Sequence, residues 1–154
     1  NLFSTLSNSQ ISKLISLSSL CSYGPGEIIA IEQESGDSLF MLVDGRVSIM
    51  KGDITAGGTE IAQLRGGDIC GEMTVFTDAP RSATIRSNSK SDILEIDRHA
   101  IAELIEEEPI LLERFSQLIS DRQARLNSLE IQSIPGSRRD VIGRVKELFE
   151  KLLS

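Results

Sequence analysis

Residues 64–85 read L-R-G-G-D-I-C-G-E-M-T-V-F-T-D-A-P-R-S-A-T-I, and the interpretation of the whole chain starts from this stretch. Gly71 permits a backbone bend that most residues resist. Residues Glu72–Phe76 are long enough for one helical turn, Thr77–Pro80 predict a turn, and Arg81 is predicted to re-enter a strand. We therefore expect Glu72 and Arg81 to face one small pocket from opposite sides of a hairpin-like excursion.

The chemistry of these two side chains suits a sugar phosphate. The first turn of a helix leaves N–H groups unpaired, which favours an anion. An arginine guanidinium can pair with two phosphate oxygens at once. A carboxylate only accepts hydrogen bonds, so Glu72 requires a donor such as a ribose 2′-hydroxyl. The stretch thus predicts an anion site next to a hydroxyl acceptor.

Short apolar runs separated by glycines surround this stretch. Ten of the twelve glycines lie between Gly24 and Gly71. Many short strands with glycine turns are typical of an antiparallel barrel or jelly roll. Asp44-Gly45 stands between two apolar runs and predicts a hairpin. The runs predicted to be strands are residues 28–31, 39–43, 47–50, 61–64, 84–85 and 93–96.

Helical patterns flank the predicted strands. Ser7 suits the N-cap of a short covering helix, and Arg98–Glu107 carries an apolar stripe. Pro109 suits the first turn of a longer helix that should end before residue 134. We expect one domain over residues 1–133, with a β-roll at about 21–97 and helices at about 98–133. Residues 134–154 are expected to be a C-terminal helix, a linker or the start of a following module.

Composition excludes several classes of function. The net charge of −7 disfavours nucleic-acid binding in this span, and no apolar run approaches the roughly 18 residues of a membrane segment. Two cysteines and one histidine, His99, cannot build a disulfide framework, a zinc site or a cupin-like metal enzyme. We therefore expect no metal and no enzymatic activity. Cysteine usage favours the cytoplasm, or the cytoplasmic face of a membrane protein. Because residue 1 is not Met, we expect a piece of a longer chain.

The stretch resembles the phosphate-binding cassette of cyclic-nucleotide-binding domains, which usually reads F-G-E-x-A-L-L followed by P-R-A-A-T-V. The catabolite activator, the regulatory subunits of cyclic-nucleotide-dependent kinases and cyclic-nucleotide-gated channels share it. Residues 25–47, with P-G-E, G-D-S-L-F and L-V-D-G-R-V, resemble the family's early strands. The resemblance covers residues 2 to about 130. It implies a mainly β fold with flanking helices: a double-stranded β-helix, or jelly-roll β-roll, with an N-terminal helix and C-terminal helices B and C.

The resemblance also implies a role for each residue of the cassette. Glu72 matches the ribose-binding glutamate, and Arg81 matches the arginine on the cyclic phosphate. Gly71, Ser82 and Ala83 match positions whose backbone N–H groups complete the phosphate cradle, with the Ser82 hydroxyl added here. Serine at this position is compatible with cAMP, so we expect cAMP to be favoured over cGMP.

The sequence departs from the family pattern in the floor of the pocket. Cys70 replaces the usual aromatic residue, and Met73-Thr74 replace a Leu-Ala type pair. These changes affect packing rather than the ionic contacts, and Met73 remains a predicted site residue. Asn127 and Ser128 lie near the positions where some bacterial members contact the base.

The predicted function is a regulatory sensor that transmits ligand binding through the C-helix to an attached effector module. The apolar stripe of that helix predicts core packing or a homodimer seam. Three alternatives stay open at this stage. The chain could be the N-terminal part of a catabolite-activator-type transcription regulator, it could be a non-binding scaffold roll, or Glu72 and Arg81 could form a merely structural ion pair.

Overall fold

The computed structural model describes residues 6–129, and in the last helix it describes side chains only as far as Asp121 and at Ala124. Four α-helices flank eight strands, and a short 3-10 turn lies at Ile54–Ala56. The helices are α1 Asn8–Ser16, α2 Glu72–Thr77, α3 Arg98–Glu107 and α4 Ile110–Leu129. The strands are β1 Ser19–Tyr23, β2 Ile28–Ala30, β3 Ser38–Asp44, β4 Val47–Lys51, β5 Thr59–Leu64, β6 Ile69–Cys70, β7 Thr84–Ser87 and β8 Ser91–Asp97.

The strands form two antiparallel sheets of four. One sheet has the order β1-β8-β3-β6, and the other has the order β2-β7-β4-β5. Strands that follow one another in the chain therefore alternate repeatedly between sheets, as they do in a jelly roll. The predicted fold class, a β-roll with flanking helices, is confirmed.

Successive side chains of β3 point to opposite faces of the sheet and belong to two separate clusters of the hydrophobic core. Leu39 and Met41 pack with the helices on one face of the first sheet. Phe40 and Leu42 point to the opposite face and pack inside the roll. Successive side chains of a strand face opposite sides, so a strand with both faces covered is apolar throughout. This explains the continuous apolar run at residues 39–42, whereas Val43 at the end of the run is exposed.

The predicted hairpin at Asp44-Gly45 is wrong. β3 pairs with β6 and β8, whereas β4 pairs with β5 and β7, so the turn carries the chain from one sheet to the other. Gly45 has a φ of 108°, and a Cβ there would lie 2.4 Å from the Ser91 Oγ. The glycine is therefore required by a crowded corner, and a local turn signal does not reveal which sheet the next strand joins.

The helices begin where the sequence predicts. Ser7 caps α1, accepting a hydrogen bond from the Gln10 backbone N–H at 3.2 Å, and α3 covers the predicted Arg98–Glu107. Along the apolar stripe of α1, Leu14 is buried, whereas Ile11 and Ile15 are exposed. α1 therefore covers less of the core than its apolar stripe suggests.

Two strands were not predicted, and part of the C-terminal prediction lies outside the described residues. β1 and β6 carry weak apolar patterns, with Ser19 and Ser22 in the first and only two residues in the second.

The predicted end of the long helix and the predicted helix within residues 134–154 fall beyond residue 129. Within residues 6–129, none of the helices has the length and apolar character needed to cross a membrane.

Candidate ligand-binding site

The site is built around α2, which begins directly after Gly71. Gly71 has a φ of 79°, in the left-handed region that favours glycine. A Cβ at this position would lie 2.7 Å from the Arg81 Nη1 and 3.2 Å from the Phe40 ring. Both the backbone conformation and the space therefore require glycine here, and the bend predicted from the sequence is confirmed.

The guanidinium of Arg81 is buried and held by neutral oxygens. Its Nη1 donates to the Ser38 carbonyl at 2.6 Å and to the Gly71 carbonyl at 3.2 Å, and its Nη2 donates to the Ser38 Oγ at 3.3 Å. The group also lies 5.0 Å from the centroid of the Phe40 ring, a cation–π distance. The side chain is 6% exposed, so its position is set by the fold rather than by solvent.

The backbone of Arg81 is fixed as well, although not by a strand. β7 begins only at Thr84, which corrects the expectation that Arg81 itself re-enters a strand. Instead, Arg81 accepts a hydrogen bond from the Gln33 N–H and donates one to the Glu34 carbonyl, both at 2.8 Å. These two bonds hold the residue against the segment that follows β2.

The charge of Arg81 is left available to an anion. Burial lowers the pKa of Arg81, and the nearby charges of Glu95, Asp37 and Glu72 oppose that shift. Arginine nevertheless remains protonated in proteins. The three hydrogen bonds use three of its five N–H groups, so two remain for a ligand.

Glu72 and Arg81 interact electrostatically, because the Glu72 charge raises the pKa of Arg81 against the effect of burial, and the alternative of a structural ion pair between them stays a hypothesis. Glu72 is the first residue of α2 and is 2% exposed. Its charge acts on Arg81 together with those of Cys70, Glu95 and Asp37. A buried guanidinium whose hydrogen bonds go to two carbonyls and a hydroxyl can also accommodate an added anion.

A cavity of about 290 Å³ opens next to these two side chains. This volume is close to the lower end of the range for small-molecule pockets, roughly 300–1,000 Å³. Its walls come from the start of α2, from β4, β5, β7 and the end of β6, and from the segments before β6 and β7. The residues that line it are Ile49, Ile61, Ala62, Gln63, Leu64, Asp68, Cys70, Gly71, Glu72, Met73, Thr74, Arg81, Ser82, Ala83 and Ile85.

The structure brings six of the eight predicted site residues to this cavity. They are Gly71, Glu72, Met73, Arg81, Ser82 and Ala83. Asn127 and Ser128 belong to the last turns of α4, where side chains lie outside the described residues. Binding by all eight stays a prediction. No cluster of three or more His, Cys, Asp and Glu side chains suited to a metal ion occurs among residues 6–129.

Sequence reasoning missed the residues that hold Arg81. Ser38 supplies two of its hydrogen-bond acceptors, and Phe40 supplies the aromatic face. Gly36 lies so close that a Cβ there would be 2.5 Å from the Arg81 Nη2. All three belong to the G-D-S-L-F segment, residues 36–40, whose resemblance to the family was noted without a role. That resemblance was the only signal available.

Arg98, the first residue of α3, was also missed. Its guanidinium donates to the carbonyls of Thr74 and Val75, each at 3.1 Å, and to the Asp78 carboxylate at 2.7 Å. The last carbonyls of a helix lack partners within the helix, so a cation there is favourable. Arg98 therefore ties the end of α2 to the start of α3.

Comparison with known proteins now assigns the class. The family model described as "Cyclic nucleotide-binding domain" matches residues 20–108, which is more than half of the chain. The chain therefore belongs to the cyclic nucleotide-binding domain family. The matched span contains both sheets and α2, the elements that build the cavity.

Individual relatives come from several kinds of protein. Potassium channel KAT3 of Oryza sativa is 32% identical over 108 residues, covering 69% of this chain and 21% of the channel. The cAMP-dependent protein kinase regulatory subunit of Mycosarcoma maydis is 32% identical over 92 residues, covering 59% of this chain and 17% of the subunit. The chain thus spans only a small part of the length of such relatives.

Solved structures show the same fold. The structure described as "Sp-2Cl-cAMPS bound to PKAR CBD2" has a TM-score of 0.70 and 28% identity, covering 84% of this chain and 83% of that chain. A cyclic nucleotide-binding domain from Methylobacillus flagellatus has a TM-score of 0.68 and 26% identity, covering 89% and 79%. The catabolite activator protein of Thermus thermophilus has a TM-score of 0.73 at 18% identity, covering 99% and 84%, and shows the fold alone.

Proposed function

We propose that the cavity binds cAMP in preference to cGMP, with Arg81 on the cyclic phosphate and Glu72 on the ribose 2′-hydroxyl. The observation that carries this proposal is the state of Arg81: a buried guanidinium whose hydrogen bonds within the described residues all go to neutral oxygens, with two N–H groups left to donate. A cyclic phosphate fits that arrangement, because it carries one negative charge and two unesterified oxygens on one phosphorus. Glu72 lines the same cavity and supplies an acceptor for a hydroxyl.

The other predicted residues complete the pocket. Ser82 and Ala83 follow Arg81 directly and line the cavity, so their N–H groups and the Ser82 hydroxyl are proposed to meet the phosphate. Met73 lines the cavity and also packs against the larger core cluster, which suits an apolar floor. Asn127 and Ser128 are proposed for the base side on the family resemblance alone.

Two lines of support favour cAMP. Serine at position 82 is compatible with cAMP in the family, whereas threonine there tends to favour cGMP. One similar solved structure is described as holding Sp-2Cl-cAMPS, whereas the relatives of this chain include both cAMP-dependent and cGMP-dependent kinase proteins.

Calorimetric titration of the chain with cAMP and with cGMP tests the proposal. We expect saturable one-to-one binding of cAMP and weaker binding of cGMP. Tighter binding of cGMP would reverse the preference. No binding of either nucleotide at millimolar concentration would leave the scaffold alternative as the better description.

We further propose that binding is relayed through α4 to an attached effector, in a sensor without catalytic activity of its own. Phe76 of α2 packs against Phe115 of α4 with ring centroids 4.7 Å apart, and both side chains are fully buried. A shift of α2 around a ligand would therefore act directly on α4. The effector, a homodimer through α4 and a cytoplasmic location are part of this proposal.

Replacing Glu72 by alanine is expected to weaken cAMP binding by about tenfold, the lower end of the value of one hydrogen bond to a charged group. The diagnostic result comes from 2′-deoxy-cAMP, which lacks the proposed donor. The wild-type chain should bind this analogue more weakly than cAMP, and Glu72→Ala should bind the two equally. Equal losses of affinity for both ligands on substitution would contradict the ribose assignment.

A further inference from the structure

Lys51 and Glu32 form a partly buried ion pair next to the cavity. The Lys51 Nζ lies 3.1 Å from the Glu32 Oε1, and the two side chains are 25% and 19% exposed. Lys51 ends β4, and Glu32 follows β2. Neither side chain is among the described residues that line the cavity. The pair is therefore not part of the site described above.

Lys51 also contacts the backbone of Ser82, a residue that lines the cavity. Its Nζ donates to the Ser82 carbonyl at 2.7 Å, a charge-assisted bond of short length. Glu32 reinforces the contact from its own side. Its Oε2 accepts from the Gly52 N–H at 2.8 Å, and its backbone N–H donates to the Thr84 Oγ1 at 3.0 Å. The segment from Ser82 to Thr84 is thus held by two hydrogen bonds, one at the Ser82 carbonyl and one at the Thr84 hydroxyl.

The bond to the Ser82 carbonyl determines where the next N–H points. The Ser82 carbonyl and the Ala83 N–H belong to one planar trans peptide group, in which they point in opposite directions. With the carbonyl turned to Lys51, the Ala83 N–H is directed away from Lys51. Ala83 is 8% exposed and lines the cavity. Hydrogen bonds in series polarise one another, so an ammonium on the carbonyl strengthens the N–H as a donor.

We propose that Lys51 is a positioning residue for the anion, acting through the Ser82–Ala83 peptide without touching the ligand. This inference rests on the proposed function. Glu32 orients the ammonium and offsets its charge at longer range, so the effect is transmitted through the hydrogen bond rather than through the overall field.

Lys51→Met keeps most of the length of the side chain and removes the donor. We expect it to weaken cAMP binding by about three- to tenfold, the value of one or two hydrogen bonds. Binding of adenosine, which has no phosphate, should stay within about twofold of the wild-type value. Both affinities are measured by displacement of a fluorescent cyclic nucleotide. Lys90→Met is the matched control, because Lys90 is exposed and carries the same charge, and its cAMP affinity should not change.

The outcomes separate this inference from the proposed function. If the wild-type chain binds no cyclic nucleotide, the proposed function fails and the role of Lys51 fails with it. If the wild type binds cAMP and Lys51→Met binds it equally well, the role of Lys51 alone is overturned. Equal losses for cAMP and adenosine would also overturn it, because they indicate a general loss of structure. Urea unfolding of each variant without ligand measures that structural contribution directly.

Discussion

Replacing Arg81 by alanine is expected to weaken cAMP binding by about 10- to 150-fold, which corresponds to about 1.5–3 kcal/mol for charge-assisted hydrogen bonds. The reason lies in the surroundings of the guanidinium. It is buried, its three protein hydrogen bonds go to neutral oxygens, and two N–H groups remain for the phosphate. Arg81→Lys keeps the positive charge but not the planar fork, so its loss should be intermediate.

Calorimetric titration of each variant with cAMP measures this effect. Arg86→Ala is the matched control, since it removes a guanidinium from β7 at a position that does not line the cavity among the described residues. Its cAMP affinity should stay within about twofold of the wild type. An unchanged affinity of Arg81→Ala for cAMP would contradict the assignment of Arg81 to the cyclic phosphate. Urea unfolding of Arg81→Ala without ligand measures the stability that is lost with the hydrogen bonds to Ser38 and Gly71.

Gly71→Ala is expected to lower both stability and affinity. A side chain in the left-handed region costs about 1–2 kcal/mol in the free energy of unfolding. The added Cβ would also lie 2.7 Å from the Arg81 Nη1, so the guanidinium must move. Loss of one charge-assisted hydrogen bond to the phosphate then weakens cAMP binding by roughly tenfold or more.

Gly26→Ala separates the two effects. Gly26 has a φ of 82°, close to the 79° of Gly71, but a Cβ there meets nothing within 4 Å. Both variants should show a similar loss of unfolding free energy from the backbone, and only Gly71→Ala should lose affinity. A Gly71→Ala variant that binds cAMP as tightly as Gly26→Ala would show that the position of Arg81 is not set by Gly71.

The local features of the fold could be predicted from the sequence. Apolar runs located six of the eight described strands, and glycine turns bound the four of these runs that lie between residues 28 and 64. Ser7 located the start of α1, and Pro109 preceded α4, because capping and proline preferences act over a few residues. The cassette also followed from local sequence, since Gly71, Glu72 and Arg81 lie within 64–85.

The features that could not be predicted from the sequence depend on contacts between segments that are distant in the chain. Ser38 meets the Arg81 guanidinium across 43 residues of chain, and Arg98 meets Thr74 across 24. A sheet partner is chosen by packing as well as by the turn, which is why Asp44-Gly45 predicted a hairpin that does not exist. Lys51 shows the same limit, because nothing near it in sequence indicates a contact with Ser82.

In the proposed relay, the contact between the tilted rings of Phe76 and Phe115 would let α4 act as a lever. Phe115 lies near the beginning of a 20-residue helix, and roughly 20 Å of helix follows it at about 1.5 Å per residue. A tilt of about 10° pivoting on this aromatic pair would carry the far end through roughly 3–4 Å. If ligand binding moves α2 as proposed, a small tilt at Phe115 would therefore become a larger displacement at Leu129, the last described residue of α4.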